Sequence, residues 1–399
     1  MTPILVVSEC FWPEGSGGTL ATYLITKLLA QERDINITVI TGTRNPAPIS
    51  NVKFIVDPVL RSPNKPKLLF NFARPSMKQR YKGLMRRFDT IYIPYGYPVI
   101  PIAKESGKKV VVHLHDYQPV VYNSTILFDQ SISSLREIAY ELNYELLEHD
   151  SIKRALLGSI LSIVITHVYR TWTCEADTII CVSHKQAKIV SKLAPELAHK
   201  IKVIYNPLPE IPHTEDKFRQ STFVYSGGGS YIKGFHVFIR GALNILKRGK
   251  NADFLLLGRS GHRYEKLIER LSANFKDRFN FLGHLPYEDA LRLYSKSHAV
   301  LVPSICEETF SYVVIESMLA GTIPIASRIG GISEIVQGTY AEEFLFEPGD
   351  ADELTDKMEM ILSMSKEEIK NGGLALREAV QKKFNKETIQ EELLKVLLG

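Results

Sequence analysis

The sequence predicts an α/β protein made of two doubly wound parallel sheets. Three observations carry this. Short apolar runs rich in β-branched residues recur along the 399 residues and alternate with longer helical patterns. A strand–glycine loop–helix unit opens the chain, and a second one begins past residue 220. Between them the pattern pauses at VIYNPLPEIPHTED, where Asn206, Pro207, Pro209 and Pro212 make a linker.

Taken in order, the first unit starts with PILVVSE, the turn GSGGT at Gly15–Thr19 and the helical pattern LATYLITKLLAQ. Strand-like runs follow at NITVITG, VKFIV, DTIYIPYG, KKVVVHLHD and DTIICVS, with a long helical stretch over 131–172. The second unit starts with STFVYS, the turn at Gly227–Gly229 and a helix. It continues through ADFLLLG, FNFLGHL, AVLVPS, TIPIAS and EFLFEPG. The expected domains are 1–205 and 206–384, with a C-terminal helix at 385–399 returning to the first. Ligands of open parallel sheets bind beyond the carboxyl ends of the strands. Two such domains facing a cleft would bring two substrates together.

Composition excludes several classes. Apolar residues make up 45% and charged residues 23%, which rules out disorder, collagen and coiled coil as the main architecture. Cys10, Cys174, Cys181 and Cys306 form no CxxC pair, and no histidine cluster has zinc spacing, so a reducing compartment and no metal–thiolate site are expected. Residues 1–12 lack a basic leader and a small-residue cleavage site and read as a first strand. The longest uncharged run, ALLGSILSIVITHVY between Arg154 and Arg170, is shorter than the ~20 residues that span a bilayer. It is either a buried helix or one lying against a membrane surface. The net charge of +5 is unevenly placed. The window Arg61–Arg87 holds nine Lys/Arg and no Asp or Glu, so the rest of the chain is slightly acidic.

Two segments carry chemistry. Gly227, Gly228 and Gly229 can turn backbone amides toward an anion, and Lys233 can add a full charge to a phosphate. The N-terminal GSGGT lacks the GxGxxG spacing and a following acid, so a dinucleotide site is not supported. The stronger segment is LVPSICEETFSYVVIESMLAGTIPIA at 301–326. A strand ends at Pro303–Ser304, a loop carries Glu308, and a helix over Tyr312–Leu319 carries Glu316. A carboxylate there can accept hydrogen bonds from two vicinal sugar hydroxyls. The amides of Phe310, Ser311 and Tyr312 stand at a helix N-terminus, where a phosphate is favoured.

The E-x7-E arrangement of Glu308 and Glu316 resembles the family 4 retaining glycosyltransferases (glycosyl transferases group 1) of GT-B fold. Supporting pieces, in matching order, are GSGGT, HLHD at 113–116, DTIICVS, VIYNPL, the SGGG…KG loop, LLLG at 255–258, FLGHLPYEDALRLYSKSHAVLVPS and Gly349–Asp350. The resemblance implies two Rossmann-like domains. It further implies that Glu316 binds the donor ribose, Glu308 the donor sugar and Lys233 the diphosphate. Gly17 and Gly18 would let the N-terminal loop approach the donor, and His115 would sit beside the anomeric centre. The backbone around Leu285 would contact the base. The expected reaction is hexosyl transfer from a UDP- or GDP-sugar to a lipid-linked, glycan or polysaccharide acceptor, with retention and no covalent intermediate.

The family usually carries arginine five residues before the lysine, where this chain has Gly228. Arg259, the amides of Gly227–Ser230 or a residue of the other domain are candidate substitutes. Ser311 replaces a common glycine. The alternative reading that Gly228 motivates is a nucleotide-sugar or glycan-binding protein with lost or weak catalysis. A sugar-nucleotide epimerase shares the architecture but not the E-x7-E loop. His113 and His115 alternate on one strand and point the same way, and Asp116 orients His113 or caps the next segment. Asp350-Ala351-Asp352 reads as a helix N-cap and not a metal motif, so no cofactor is expected and divalent metal is not expected to be essential. Finally, the basic segment interleaves charge with apolar residues over 76–88. Lys78, Arg80, Lys82, Arg86 and Arg87 form a patch suited to an anionic membrane or acceptor. No nucleic-acid motif accompanies it. The expected location is cytoplasmic, peripheral at the inner face of the cell membrane.

Overall fold

The computed structural model describes all residues except 63, 129–136, 150, 212–216, 260–269 and 271–273. It divides into two compact units. The first comprises Met1–Ile126, Ser131–Leu208 and Phe384–Gly399, and the second Leu127–Gln130 and Pro209–Lys383. Pro212 of the linker and 131–136 of the expected long helix lie outside the described residues.

The first unit is a seven-stranded sheet of β1 (Thr2–Ser8), β2 (Ile35–Thr41), β3 (Val52–Val56), β4 (Thr90–Ile93), β5 (Lys109–Leu114), β6 (Thr178–Cys181) and β7 (Ile201–Val203). Their order is β3-β2-β1-β4-β5-β6-β7, and every pairing is parallel. Central strands covered on both faces read as unbroken apolar runs. All four residues of β4 are accordingly buried. Strand β7 has only three residues, Ile-Lys-Val, at a sheet edge, too short to stand out as a run.

The second unit is a six-stranded parallel sheet of β8 (Thr222–Tyr225), β9 (Asp253–Leu257), β10 (Phe279–Gly283), β11 (Ala299–Val302), β12 (Ile323–Ser327) and β13 (Leu345–Phe346). The order is β10-β9-β8-β11-β12-β13. Each sheet has the doubly wound order of a Rossmann-like unit, as the resemblance implied. Leu127 joins the second unit through an antiparallel bridge to Cys306, and Phe128 N–H donates to Ile305 O at 3.0 Å. Helix Lys386–Leu398 belongs to the first unit, where Thr90 Oγ1 donates to Leu397 O at 3.0 Å.

The stretch expected as one helix over 131–172 is two, Glu137–His149 and Ile152–Glu175. Ser151 starts the second by accepting the Arg154 amide on its hydroxyl. The basic segment also forms two helices, Lys65–Ala73 and Pro75–Met85. Pro75 at the first position of the second helix ends the first one.

The apolar residues of this basic segment face inward. Leu68, Phe72, Tyr81, Met85 and Phe88 are buried, so they are core and cannot enter a membrane. Arg80 pairs with Asp57 at 3.2 Å and Lys82 with Glu105 at 2.7 Å. Lys78 is half-buried, and Arg86 and Arg87 are exposed. The outer surface of the segment is therefore a narrower basic patch than expected, with little apolar content beyond Phe70, which is 63% exposed.

Candidate functional site

Sheet order reverses between β8 and β11, the kind of switch point at which parallel α/β sheets take their ligands. The loop after β8 and the loop after β11 meet there. Ile305 N–H donates to Ile232 O at 3.0 Å. A Cβ on Gly234 would lie 1.7 Å from Pro303 O, and Gly234 has φ of +72°, so only glycine fits.

This contact brings Lys233 to Glu308. Lys233 Nζ donates to Glu308 Oε1 at 2.7 Å, and Ser304 Oγ donates to the same oxygen at 2.7 Å. The lysine side chain is 42% exposed and the glutamate 13%, so the cation sits at the rim with the carboxylate beneath it. Helix Gly330–Val336 fixes the loop from behind, because Gly331 N–H donates to Glu308 O at 2.6 Å.

Helix Tyr312–Leu319 starts where the sequence places it and carries Glu316 inward. Glu316 is 5% exposed, and Tyr287 Oη donates to its Oε1 at 2.7 Å. Burial raises its carboxyl from the ordinary 4.5 to about 7, with the Tyr287 hydrogen bond pulling the other way. Leu285 is half-buried in the loop between β10 and helix Tyr287–Lys296. Phe310, Ser311 and Tyr312 are buried at the start of the Glu316 helix, with Ser311 at its N-cap.

The glycine loop departs from expectation. Gly228 N–H donates to Leu257 O at 3.0 Å, Gly229 N–H to Arg259 O at 3.2 Å, and Ser230 N–H to Gly227 O at 3.4 Å. These amides hold the loop to the neighbouring strand end and to itself instead of pointing at an anion. Gly228 has φ of +58°, and a Cβ there would lie 2.6 Å from Arg259 O. Arginine cannot take this position without moving the backbone. Arg259, whose backbone packs on Gly228, is exposed and is the described cation adjoining that position in the chain fold.

In the first unit the sheet reverses between β1 and β4. Gly17 and Gly18 begin helix Gly17–Leu29 directly beyond β1. A Cβ on Gly18 would lie 1.9 Å from Tyr95 Oη and 3.0 Å from His115 Cβ, so glycine lets the helix approach these two residues. His115 is 8% exposed, stacks on His113 at 4.4 Å, and burial lowers it to about 3. It is a neutral ring at any physiological pH. His113 is oriented by Tyr92 Oη, 2.6 Å from its Nδ1, and Asp116 instead accepts the Gln118 amide at 2.8 Å.

Several residues at this strand end were not singled out in the sequence. Glu9, directly after β1, is raised to about 7 by burial, with Lys65 partly offsetting it. Lys65 belongs to the basic segment by sequence. In the fold it turns inward, 4.8 Å over the Tyr122 ring, with its Nζ donating to Tyr122 O and to Ser124 Oγ. In the second unit the missed residue is Tyr287. The signal for Glu9 and Tyr95 was their place just beyond strands that flank the switch point. Asp350 caps helix Ala351–Ser363 by accepting the amides of Asp352 and Glu353, each at 2.9 Å.

Comparison with known proteins bears on both units. The sequence profile of Glycosyltransferase Family 4 matches residues 16–209, and that of Glycosyl transferases group 1 matches residues 220–364. An uncharacterized glycosyltransferase of Methanocaldococcus jannaschii is 31% identical over 182 residues, 41% of this chain and 46% of the relative. The chain spans about half the length of the first curated relatives it matches. Among solved structures, sucrose-phosphate synthase of Thermosynechococcus elongatus superposes with a TM-score of 0.72 at 19% identity, covering 99% of this chain and 98% of that one. Anabaena HepE in complex with UDP and glucose gives 0.70 at 17%, covering 100% and 99%. With matched profiles over both units and two parallel sheets of the same architecture, the chain belongs to glycosyltransferase family 4 (glycosyl transferases group 1), whose members are retaining GT-B enzymes.

Proposed function

We propose that this protein transfers a hexosyl group, with retention, from a UDP- or GDP-sugar to a hydroxyl of a lipid-linked or glycan acceptor. The observation that carries the proposal is the pairing of two differently placed carboxylates at one switch point. Glu316 is deep and desolvated, suited to accept two ribose hydroxyls. Glu308 is shallower and already accepts from a lysine and a serine. The diphosphate of the donor displaces Lys233 from Glu308, and the freed carboxylate takes hydroxyls of the donor sugar. As the glycosidic bond to the diphosphate breaks, negative charge grows on the leaving oxygen. Lys233 and Arg259 stabilise it, the arginine doing what the family residue at Gly228 does. His115, neutral throughout, donates a hydrogen bond to the donor sugar. HepE, of the same fold, binds UDP and glucose, which favours a uridine donor.

We further propose that the reaction needs no divalent metal and runs on the cytoplasmic side of a membrane. The Asp350 carboxylate is engaged in capping and that of Asp352 accepts from Asn244 Nδ2 at 2.8 Å, and the exposed Arg86 and Arg87 favour an anionic surface. Titration calorimetry with UDP, GDP and their sugars tests the donor reading. Binding of neither nucleotide would overturn it. Binding without release of UDP or GDP in the presence of any lipid-phosphate or glycan acceptor would instead identify a sugar-nucleotide-binding protein. Full activity in EDTA is expected.

A further inference from the structure

The helical hairpin Glu137–His149 and Ile152–Glu175 in the first unit is amphipathic in the inverted sense. The second helix buries small and hydroxyl-bearing residues, among them Ala155, Gly158, Ser159, Ser162, Thr166 and Thr173. Three of these hydroxyls are satisfied within the helix: Ser159 Oγ donates to Ala155 O at 2.6 Å, Ser162 Oγ to Ser159 O at 2.9 Å and Thr173 Oγ1 to Tyr169 O at 2.7 Å. The first helix turns Glu141 and Glu145 inward, and Arg154 Nε reaches Glu145 at 3.0 Å. A Cβ on Gly158 would meet Glu141 Oε1 at 3.2 Å, so the helices close directly over the carboxylates.

Apart from Ile165, which is buried, the larger aliphatic side chains point the other way. Ile160 is 72% exposed, Leu157 63%, Val164 62% and Leu156 54%, and the first helix adds Leu142 and Leu146 beside them. An ordinary surface helix does the reverse.

Charge selects the environment that fits this face. The exposed positions of the helix include Lys153, Arg154, which also pairs with Glu145, and His167, with the carboxylate of Glu175 confined to its far end. Helix Ile100–Glu105 packs against both Ile152–Glu175 and the basic helix Pro75–Met85, and Arg86 and Arg87, just beyond the latter, are exposed on the same unit. Helix Ile152–Glu175 is long and apolar enough by length and composition to cross a bilayer, but one stripe of it is buried against protein, so it offers lipid only its other side. An apolar ridge with cationic flanks is the pattern of a helix lying in the plane of an anionic leaflet.

We infer that this hairpin docks on an anionic lipid bilayer. Leu156, Leu157, Ile160 and Val164 seat among the acyl chains, and Lys153 and Arg154 lie at the headgroups. This deepens the membrane location proposed above, and rests on it only for which membrane is met.

The test floats the full chain with phosphatidylcholine vesicles, with and without phosphatidylglycerol, at low and high salt. The wild type is expected to float with the anionic vesicles and to stay largely bound at high salt, since the ridge is apolar. The variant Leu156→Gln/Ile160→Gln/Val164→Gln changes only exposed positions. It should lose binding by at least about tenfold, with circular dichroism and UDP binding unchanged. A separate Ile160→Trp variant should show blue-shifted emission, by difference from the wild type, when anionic vesicles are added. The inference is overturned if the wild type does not float, if salt alone strips it, if the triple variant floats equally well, or if the added indole does not shift. A wild-type dimer that the triple variant dissolves would likewise overturn it, by assigning the ridge to a second copy of the chain. Loss of UDP binding in the wild type would instead count against the donor reading and leave the docking result standing.

Discussion

Replacing Glu316 by glutamine separates what this side chain does for binding from what it does to stability. The carboxyl rises from an ordinary 4.5 to about 7 on burial. At about 1.36 kcal/mol per pH unit, holding it ionised in the fold costs about 3 kcal/mol. The folded protein holds this proton more tightly than the unfolded chain does. The wild type therefore loses stability as pH rises from about 4.5 to about 7, and the loss is complete above that. Glutamine keeps the carbonyl that accepts from Tyr287 Oη and carries no charge. Glu316→Gln should therefore be more stable than the wild type by up to about 3 kcal/mol at pH 8 and equal to it near pH 4.5. For a unit of this size that is a melting transition about 6–12 °C higher at pH 8. The amide cannot accept from two ribose hydroxyls, so UDP or GDP affinity should fall at least about tenfold in the same variant. Wild-type affinity should itself decline as pH drops through about 7. Thermal melts at the two pH values and calorimetry with the nucleotides read both effects. A variant that melts below the wild type at pH 8, or that binds nucleotide as tightly, would refute the reasoning.

Other substitutions probe the rest of the site. Lys233→Ala removes the cation that lies 2.7 Å from Glu308. Nucleotide-diphosphate affinity should fall about 10–100-fold while mononucleotide affinity changes far less, as calorimetry would show. Gly228→Arg restores the usual family residue but forces a side chain into φ of +58° against Arg259 O. It should destabilise by about 1–2 kcal/mol and leave turnover no higher, measured by melting and nucleotide release. Arg259→Ala, by contrast, should lower turnover without loss of stability. Gly18→Ala drives a Cβ into Tyr95 Oη and toward His115. Sugar transfer should fall at least about tenfold while UDP affinity, which the proposal places on Glu316 and Lys233, is retained.

Most strands were legible because parallel strands covered on both faces leave unbroken apolar runs such as ILVV, VVV and FLLL. The exception was β7, three residues at a sheet edge with a lysine in the middle. Helix Tyr312–Leu319 was readable to its ends, since Gly321 stops it and the loop before it is polar. Side-chain direction was less legible wherever one pattern serves two environments. Lys65 counts as a surface charge in any sequence window, yet the turn at Asn64 carries it over Tyr122 toward the buried acids. The amides of Gly228 and Gly229 appear available in the sequence, because the carbonyls that take them, of Leu257 and Arg259, come from another strand end.

The hairpin is the sharpest case of this ambiguity. A stretch such as ALLGSILSIVITHVY shows helical periodicity, but which stripe faces protein depends on what the partner offers. Here the partner helix offers Glu141 and Glu145, so the small polar stripe closes inward and the aliphatic stripe is left outside. The basic helix Pro75–Met85 makes the opposite choice, burying Tyr81 and Met85 and exposing Arg86 and Arg87 just beyond its end. The two elements that the sequence offers as membrane candidates thus present different surfaces. The basic helix presents charge with little apolar surface, whereas the hairpin presents an apolar ridge with Lys153 and Arg154 at its rim. A single myristoyl-sized anchor gives only marginal membrane binding, and stable peripheral attachment takes two signals. Charge reversal at Arg86 and Arg87 should therefore weaken vesicle binding mainly at low salt, whereas glutamine on the ridge should abolish the salt-resistant part. Equal loss at every salt concentration from both changes would refute that division.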